Sequence, residues 1–268
     1  MAVCGVEPEE GILQILLTGC VKNLGKRSFA DLAAFDDDAD AVAELLCFPH
    51  DVGGDEHQLA GFLRRYKGMA PRPEASDPKT IDLEGDFNQW NNVLPAFKDY
   101  ICEMRARNSK GAPKGTMYTN NSGRNDFEEM KVTFDNDNIY FYVKTYGYIS
   151  SRTGTNWMLL YIDSDRDKKT GWEGYDYALN MEVLSDNATT LKERKDDSWE
   201  TVCECSYRLK GEEMMICVPR KALGLDGGKP SFYFHWMDNS YKLDDISEFF
   251  IHGDSAPERR YNYWYEPK

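Results

Sequence analysis

The nine residues Asp163-Ser-Asp-Arg-Asp-Lys-Lys-Thr-Gly171 hold the strongest local chemistry in this chain. Asp163, Asp165 and Asp167 stand at alternate positions after an apolar run, so their carboxylates can turn toward one hard cation. Calcium takes about six to eight oxygens, from carboxylates and carbonyls alike. Asp176 follows on the next extended run and is the natural fourth ligand. The loop is not an EF-hand: Lys168 occupies the slot where glycine is needed, and no glutamate stands at the twelfth position. Structural calcium is the expectation, with an ordinary solvated acidic turn as the competing reading.

A second kind of chemistry is ring stacking. The apolar face of a pyranose packs on an exposed flat ring, and amides, carboxylates or guanidinium groups bond its hydroxyls. Trp172, Tyr175, Trp236 and Trp264 fall near strand ends or loops, with Arg124, Asn125, Asp126, Asp238 and Asn239 as the polar candidates. Trp90 and Trp157 are expected in the core, and Trp236 is balanced between core and platform. Arg124 with Asp126 has a second reading, a turn held by its own salt link.

Catalysis finds less support. Glycoside hydrolysis needs two carboxylates at a set separation, but among 46 acidic residues such pairs arise by chance. His50, His57, His235 and His252 form no base–nucleophile arrangement, and neither G-x-S-x-G nor H-E-x-x-H occurs. His235 and Met237 share one face of a strand, so they cannot grip opposite sides of a haem.

The elements that position these residues follow two grammars. Residues 1–70 read as a helical segment. Ala41 to Leu46 follows the acidic run Asp36-Asp37-Asp38, which suits a helix start. Leu59, Phe62, Leu63 and Tyr66 recur at helical spacing, with Gly68 as a stop. Residues 71–79 contain three prolines among small and polar residues and read as a linker.

Beyond the linker the period is two. Ile139, Phe141 and Val143 alternate with Tyr140, Tyr142 and Lys144. Trp157 to Ile162 is apolar on both faces. Tyr175–Val183, Met214–Val218 and Phe232–Trp236 complete the series, with Gly, Asp and Asn between the runs. This pattern predicts a mainly β fold over 80–268: an antiparallel β-sandwich, jelly-roll-like, preceded by the short helical segment.

Composition narrows the partners. The 268 residues carry a net charge of −14, which repels nucleic-acid phosphates and anionic membrane surfaces. Neutral sugars and divalent cations remain compatible. No apolar run approaches the ~20 residues of a membrane span, and the first residues lack the basic and apolar regions of a secretory signal. Seven scattered cysteines give no zinc spacing and read as reduced thiols.

Three segments carry a family likeness. Ile81-Asp-Leu-Glu-Gly-Asp-Phe-Asn-Gln-Trp90 resembles the opening strand and turn of family 9 carbohydrate-binding modules and the related DOMON-like sandwiches. Lys131 to Val143, with its Asp-rich turn, is similar to their second hallmark, and Tyr207 to Gly224 to their late hairpin. The likeness extends to C-terminal modules of bacterial multidomain proteins related to glycoside hydrolases, through Tyr118–Asp126, Asp163–Asp176 and Gly253–Tyr263. It spans about 190 residues.

This resemblance implies a non-catalytic carbohydrate-binding module with structural calcium at Asp163, Asp165, Asp167 and Asp176. It also implies a neighbouring catalytic barrel, of which residues 1–70 would be a remnant, and an extracellular or periplasmic setting. The rival readings are a ligand-free scaffold sandwich and a glycoside hydrolase in its own right.

Overall fold

The computed structural model describes residues 75–99, 101, 107–110, 117–120, 122–154, 156–257 and 260–267. The helical segment expected over 1–70 and the first half of the proline-rich linker lie outside them.

The opening motif is a turn rather than a strand. Asp86 caps a short 3-10 turn over Phe87–Trp90 by accepting a hydrogen bond from the Asn88 N–H, as carboxylates do at helix starts. Thirteen strands follow among the described residues, β1 (Ala96–Lys98), β2 (Arg107–Lys110), β3 (Met117–Asn120), β4 (Phe127–Phe134), β5 (Asn138–Thr145), β6 (Leu159–Asp163), β7 (Tyr177–Val183), β8 (Ala188–Lys195), β9 (Ser198–Lys210), β10 (Glu213–Pro219), β11 (Phe232–Asp238), β12 (Asp254–Ala256) and β13 (Tyr263–Tyr265). A single helical turn, α1 (Glu248–Ile251), precedes β12.

Eleven of these strands form one sheet, in the order β1-β4-β5-β10-β9-β8-β7-β6-β11-β12, with β13 beside β12 on the same edge of β11. Every pairing is antiparallel. β2 and β3 form a separate hairpin-like pair. The mainly antiparallel β architecture therefore matches the period-two reading.

The sheet curls until its ends meet. Phe141 on β5 packs against Phe232 and Phe234 on β11, with ring centroids 5.7 and 6.0 Å apart, although five strands separate β5 from β11. Phe97 on β1 reaches Phe234 and Tyr263, and the Tyr263 hydroxyl donates to the Lys98 carbonyl. The Phe127 N–H at the head of β4 donates to Asp254 Oδ2 on β12. The Phe127 N–H and the Lys98 carbonyl thereby find partners at the seam, which lessens the tendency of open strands to recruit other chains.

Strand alternation decides which side chains enter the enclosed core. Ile139, Phe141 and Val143 point in, as do Met214, Ile216 and Val218 on β10 and Phe232, Phe234 and Trp236 on β11. The outward rings Tyr140 and Tyr142 are buried all the same, under Ile81, Phe87, Trp90 and Val93 from the entry segment. A third cluster covers the outside of β6, β7 and β11, where Leu159, Tyr161, Ala178 and Met237 lie beneath Trp172, Tyr175 and Phe249. Both faces of β6 and β11 are consequently dry, which accounts for their near-continuous apolar sequence.

Antiparallel pairing places the loops at two opposite ends of the sheet. One end carries the connection from β6 to β7, with the acidic residues. The opposite end carries the segments before β4, after β11 and before β12, with Arg124, Asn125, Asp238 and Asn239.

Candidate functional site

The β6–β7 loop leaves the sheet at Asp163 and rejoins it at Asp176, whose N–H donates to the Ile162 carbonyl. Between them the chain is wound by side chains that accept backbone hydrogen bonds, as Asp residues do in turns. Asp163 Oδ1 accepts from the Arg166 N–H at 2.6 Å, and Asp165 Oδ1 from the Asp167 N–H at 2.8 Å. Asp176 Oδ2 accepts from both the N–H and the hydroxyl of Ser164, at 2.8 and 2.9 Å. Two non-glycine residues, Arg166 and Glu173, adopt the left-handed region that most side chains avoid.

This winding brings Asp163, Asp165 and Asp176 together, with ligand oxygens within 4.8 Å of one another. None of the three forms an ion pair with a described residue. Burial pushes the Asp163 carboxyl up to about 7, and the neighbouring Asp176 and Asp165 charges add to that rise. A group of carboxylates held together without a positive partner, offering only hard oxygen donors, fits a calcium-type cation. Asp167 is not part of the group: it is exposed, and its carboxylate accepts from the Lys169 N–H instead.

The rings chosen as sugar platforms fare differently. Trp236 is fully buried, because alternation along β11 sends it inward against Phe127. The platform expectation for Trp236 is therefore corrected to a core role. Tyr175 is buried at 2% exposure, and its hydroxyl donates to Asn262 Oδ1 at 2.6 Å. Trp172 is buried as well, tilted against Tyr161 and edge-on to Trp199 and Phe249. Trp172 and Tyr175 cover the outer face of the sheet and Trp236 fills its interior, so none of the three offers an open face to a sugar. Trp264 is half-buried, with the Arg166 guanidinium 5.6 Å from its ring centre and Tyr233 against it edge-on.

The polar candidates do converge, at the other end of the sheet. Arg124 Nε donates to Asp238 Oδ2 at 2.8 Å, and Asp238 Oδ1 accepts from the Met158 N–H. Burial raises the Asp238 carboxyl while Arg124 opposes the rise. Arg124 thus has a partner 114 positions away, outside the local turn in which the sequence suggested a link to Asp126. Asn125 is buried and locked to Ser150 by two hydrogen bonds. Asp238 and Asn125 anchor loops and are turned away from solvent, so of this group only Arg124 and Asn239 retain exposed surface. Asn239 Nδ2 donates to Ser122 Oγ at 3.1 Å.

Tyr241, Glu248 and His252 lie at the same end and were not singled out from the sequence. Their signal is present: Glu248 and His252 stand four apart, the spacing that stacks side chains on one helical turn.

His235, the haem candidate, is enclosed beneath Phe249, with ring centres 4.2 Å apart. Its Nδ1 bonds the Tyr261 carbonyl, and burial drives its pKa down to about 3. No helix among the described residues is long and apolar enough to cross a membrane.

Searches against protein-family models, curated proteins and solved structures find no match for this chain.

Proposed function

We propose that this chain is a non-catalytic, calcium-stabilised carbohydrate-binding β module of the family 9 kind, working beside a glycoside hydrolase-type protein. The curled sheet is read as a jelly-roll-like sandwich whose two halves face each other. The observation that carries the reading is the convergence of Asp163, Asp165 and Asp176 in the segment where the resemblance implies a calcium loop. Bound there, calcium would tie the end of β6 to the start of β7 and stiffen the cover formed by Trp172 and Tyr175. The three resembling segments also support it: a capped turn ending at Trp90, a hairpin wound by Asp135, and a β9–β10 hairpin followed by a turn that Gly224 closes.

The test has two arms. Differential scanning calorimetry with calcium and with a chelator should show a higher melting temperature with calcium. Asp163→Asn and Asp176→Asn should each abolish that difference; a protein indifferent to calcium would remove the metal. A glycan array probed with the chain, with and without calcium, addresses the ligand. Retention on at least one neutral polysaccharide is expected.

A second reading is a scaffold sandwich that supports a neighbouring domain and binds no sugar. The burial of Trp172, Tyr175 and Trp236 favours it, since those rings were the expected platforms. An array blank under both conditions would select it.

A further inference from the structure

The exposed ring that satisfies the physics of sugar stacking is Tyr241, in the segment between β11 and α1. Its ring lies flat on the His252 imidazole, with centroids 3.7 Å apart and planes 17° from parallel. One carboxylate holds both partners: Glu248 Oε2 accepts from the Tyr241 N–H at 2.8 Å and lies 2.6 Å from His252 Nδ1. Glu248 is itself buried, at 3% exposure, so this clamp is anchored in the fold. His252 is fixed at the backbone as well, by a bridge to Thr119 on β3 and by the tight passage of Gly253 against Asp238. Gly253 takes a left-handed φ of +56, and a Cβ there would run into the Asp238 carbonyl.

Tyr241 nevertheless remains 52% exposed. A ring with one face backed and the rest open is ordered before any ligand arrives, so binding loses little side-chain freedom. Asn239, two residues earlier, and its partner Ser122 bring an amide and a hydroxyl to the same end, and Arg124 brings a guanidinium. The other exposed rings lack this preparation. Arg166 lies over Trp264, and Tyr146 and Tyr148, though 59% and 83% exposed, have no ring beside them among the described residues.

We infer that Tyr241, backed by His252 and clamped through Glu248, is the stacking platform for a neutral pyranose, with Asn239, Ser122 and Arg124 as polar groups at the same end of the sheet. The inference rests on the carbohydrate-binding reading and moves its site away from the tryptophans to the sheet end opposite the acidic loop. A strongly anionic ligand is disfavoured by the chain's net charge of −14.

The experiment is native affinity electrophoresis of the full chain in gels containing hydroxyethylcellulose, xylan, mixed-linkage β-glucan, galactomannan or pullulan. The native chain is slowed by at least one of these. Tyr241→Phe, which keeps the ring, holds the affinity within about twofold. Tyr241→Ala weakens it tenfold or more, while Tyr148→Ala leaves it unchanged. Thermal melts of the same variants verify that Tyr241→Ala is folded. Retention that survives Tyr241→Ala overturns the inference and leaves carbohydrate binding standing. A native chain that no polysaccharide slows overturns both.

Discussion

At the scale of single residues, two buried groups titrate in opposite senses. Asp163 has its carboxyl raised to about 7 by burial and by the charges of Asp176 and Asp165. A carboxyl whose folded pKa exceeds its unfolded value of about 3.9 favours folding when protonated, so the metal-free protein loses that contribution as pH rises through this window. On the proposed calcium reading, the ion would have to displace that proton. The calcium-induced rise in melting temperature should therefore be larger at pH 8 than at pH 5.5, and a rise independent of pH would take Asp163 out of the ligand set.

His235 behaves the other way. It is held neutral, with its pKa lowered from 6.5 to about 3, while the unfolded chain takes up a proton below about 6.5. Its contribution is complete above that pH and is lost as pH falls toward 3, to the extent of roughly 5 kcal/mol over the whole window. His235→Phe should flatten the acid limb of the stability profile in urea titrations between pH 6.5 and pH 4. An acid limb as steep as that of the native chain would assign the loss to the carboxylates.

At the scale of elements, the β6–β7 connection depends on a glycine. Gly171 has a φ of +61, and a Cβ at this position would collide with the Tyr175 carbonyl. That carbonyl accepts from the Trp172 N–H, and the Tyr175 N–H answers to the Trp172 carbonyl, so the turn is closed on itself. Gly171→Ala should destabilise the chain by roughly 2–4 kcal/mol, since both the φ and the space are refused. It should also weaken the response to calcium, because Asp176 follows the same turn. Chemical denaturation gives the first number and a calcium titration the second. A substitution with no effect on either would mean that the turn can open without disturbing the strands.

At the scale of the whole molecule, stability comes from the contact between distant parts of one sheet. Phe127, Phe141, Phe232, Phe234 and Trp236 meet across the enclosed core although they belong to strands at opposite ends of the pairing order. Trp236→Ala would leave a large void among them and should cost roughly 3–5 kcal/mol. The loss would appear as a lower denaturation midpoint. If Trp236→Ala instead kept full stability and lost only glycan retention, the ring would belong to a binding surface.

The alternation of apolar residues was enough to state antiparallel strands and to sort Ile139, Phe141 and Val143 from Tyr140 and Tyr142, because a strand's geometry is local. The gathering of Asp163, Asp165 and Asp176 was legible for the same reason, since spacing along a short turn limits where they can go, but spacing also enlisted Asp167, whose carboxylate instead accepts from the Lys169 N–H. Alternation does not say which face meets water. Trp172 and Tyr175 looked exposed in sequence, yet they cover the outside of β6 and β11, a face that only the return of α1 and the β6–β7 loop makes dry. Likewise Arg124 meets Asp238, and Glu248 gathers Tyr241 and His252, through chain returns that no spacing rule encodes. Local geometry was therefore settled by the order of the residues, and solvent access by the curling of the sheet, because burial is a property of what packs against a side chain.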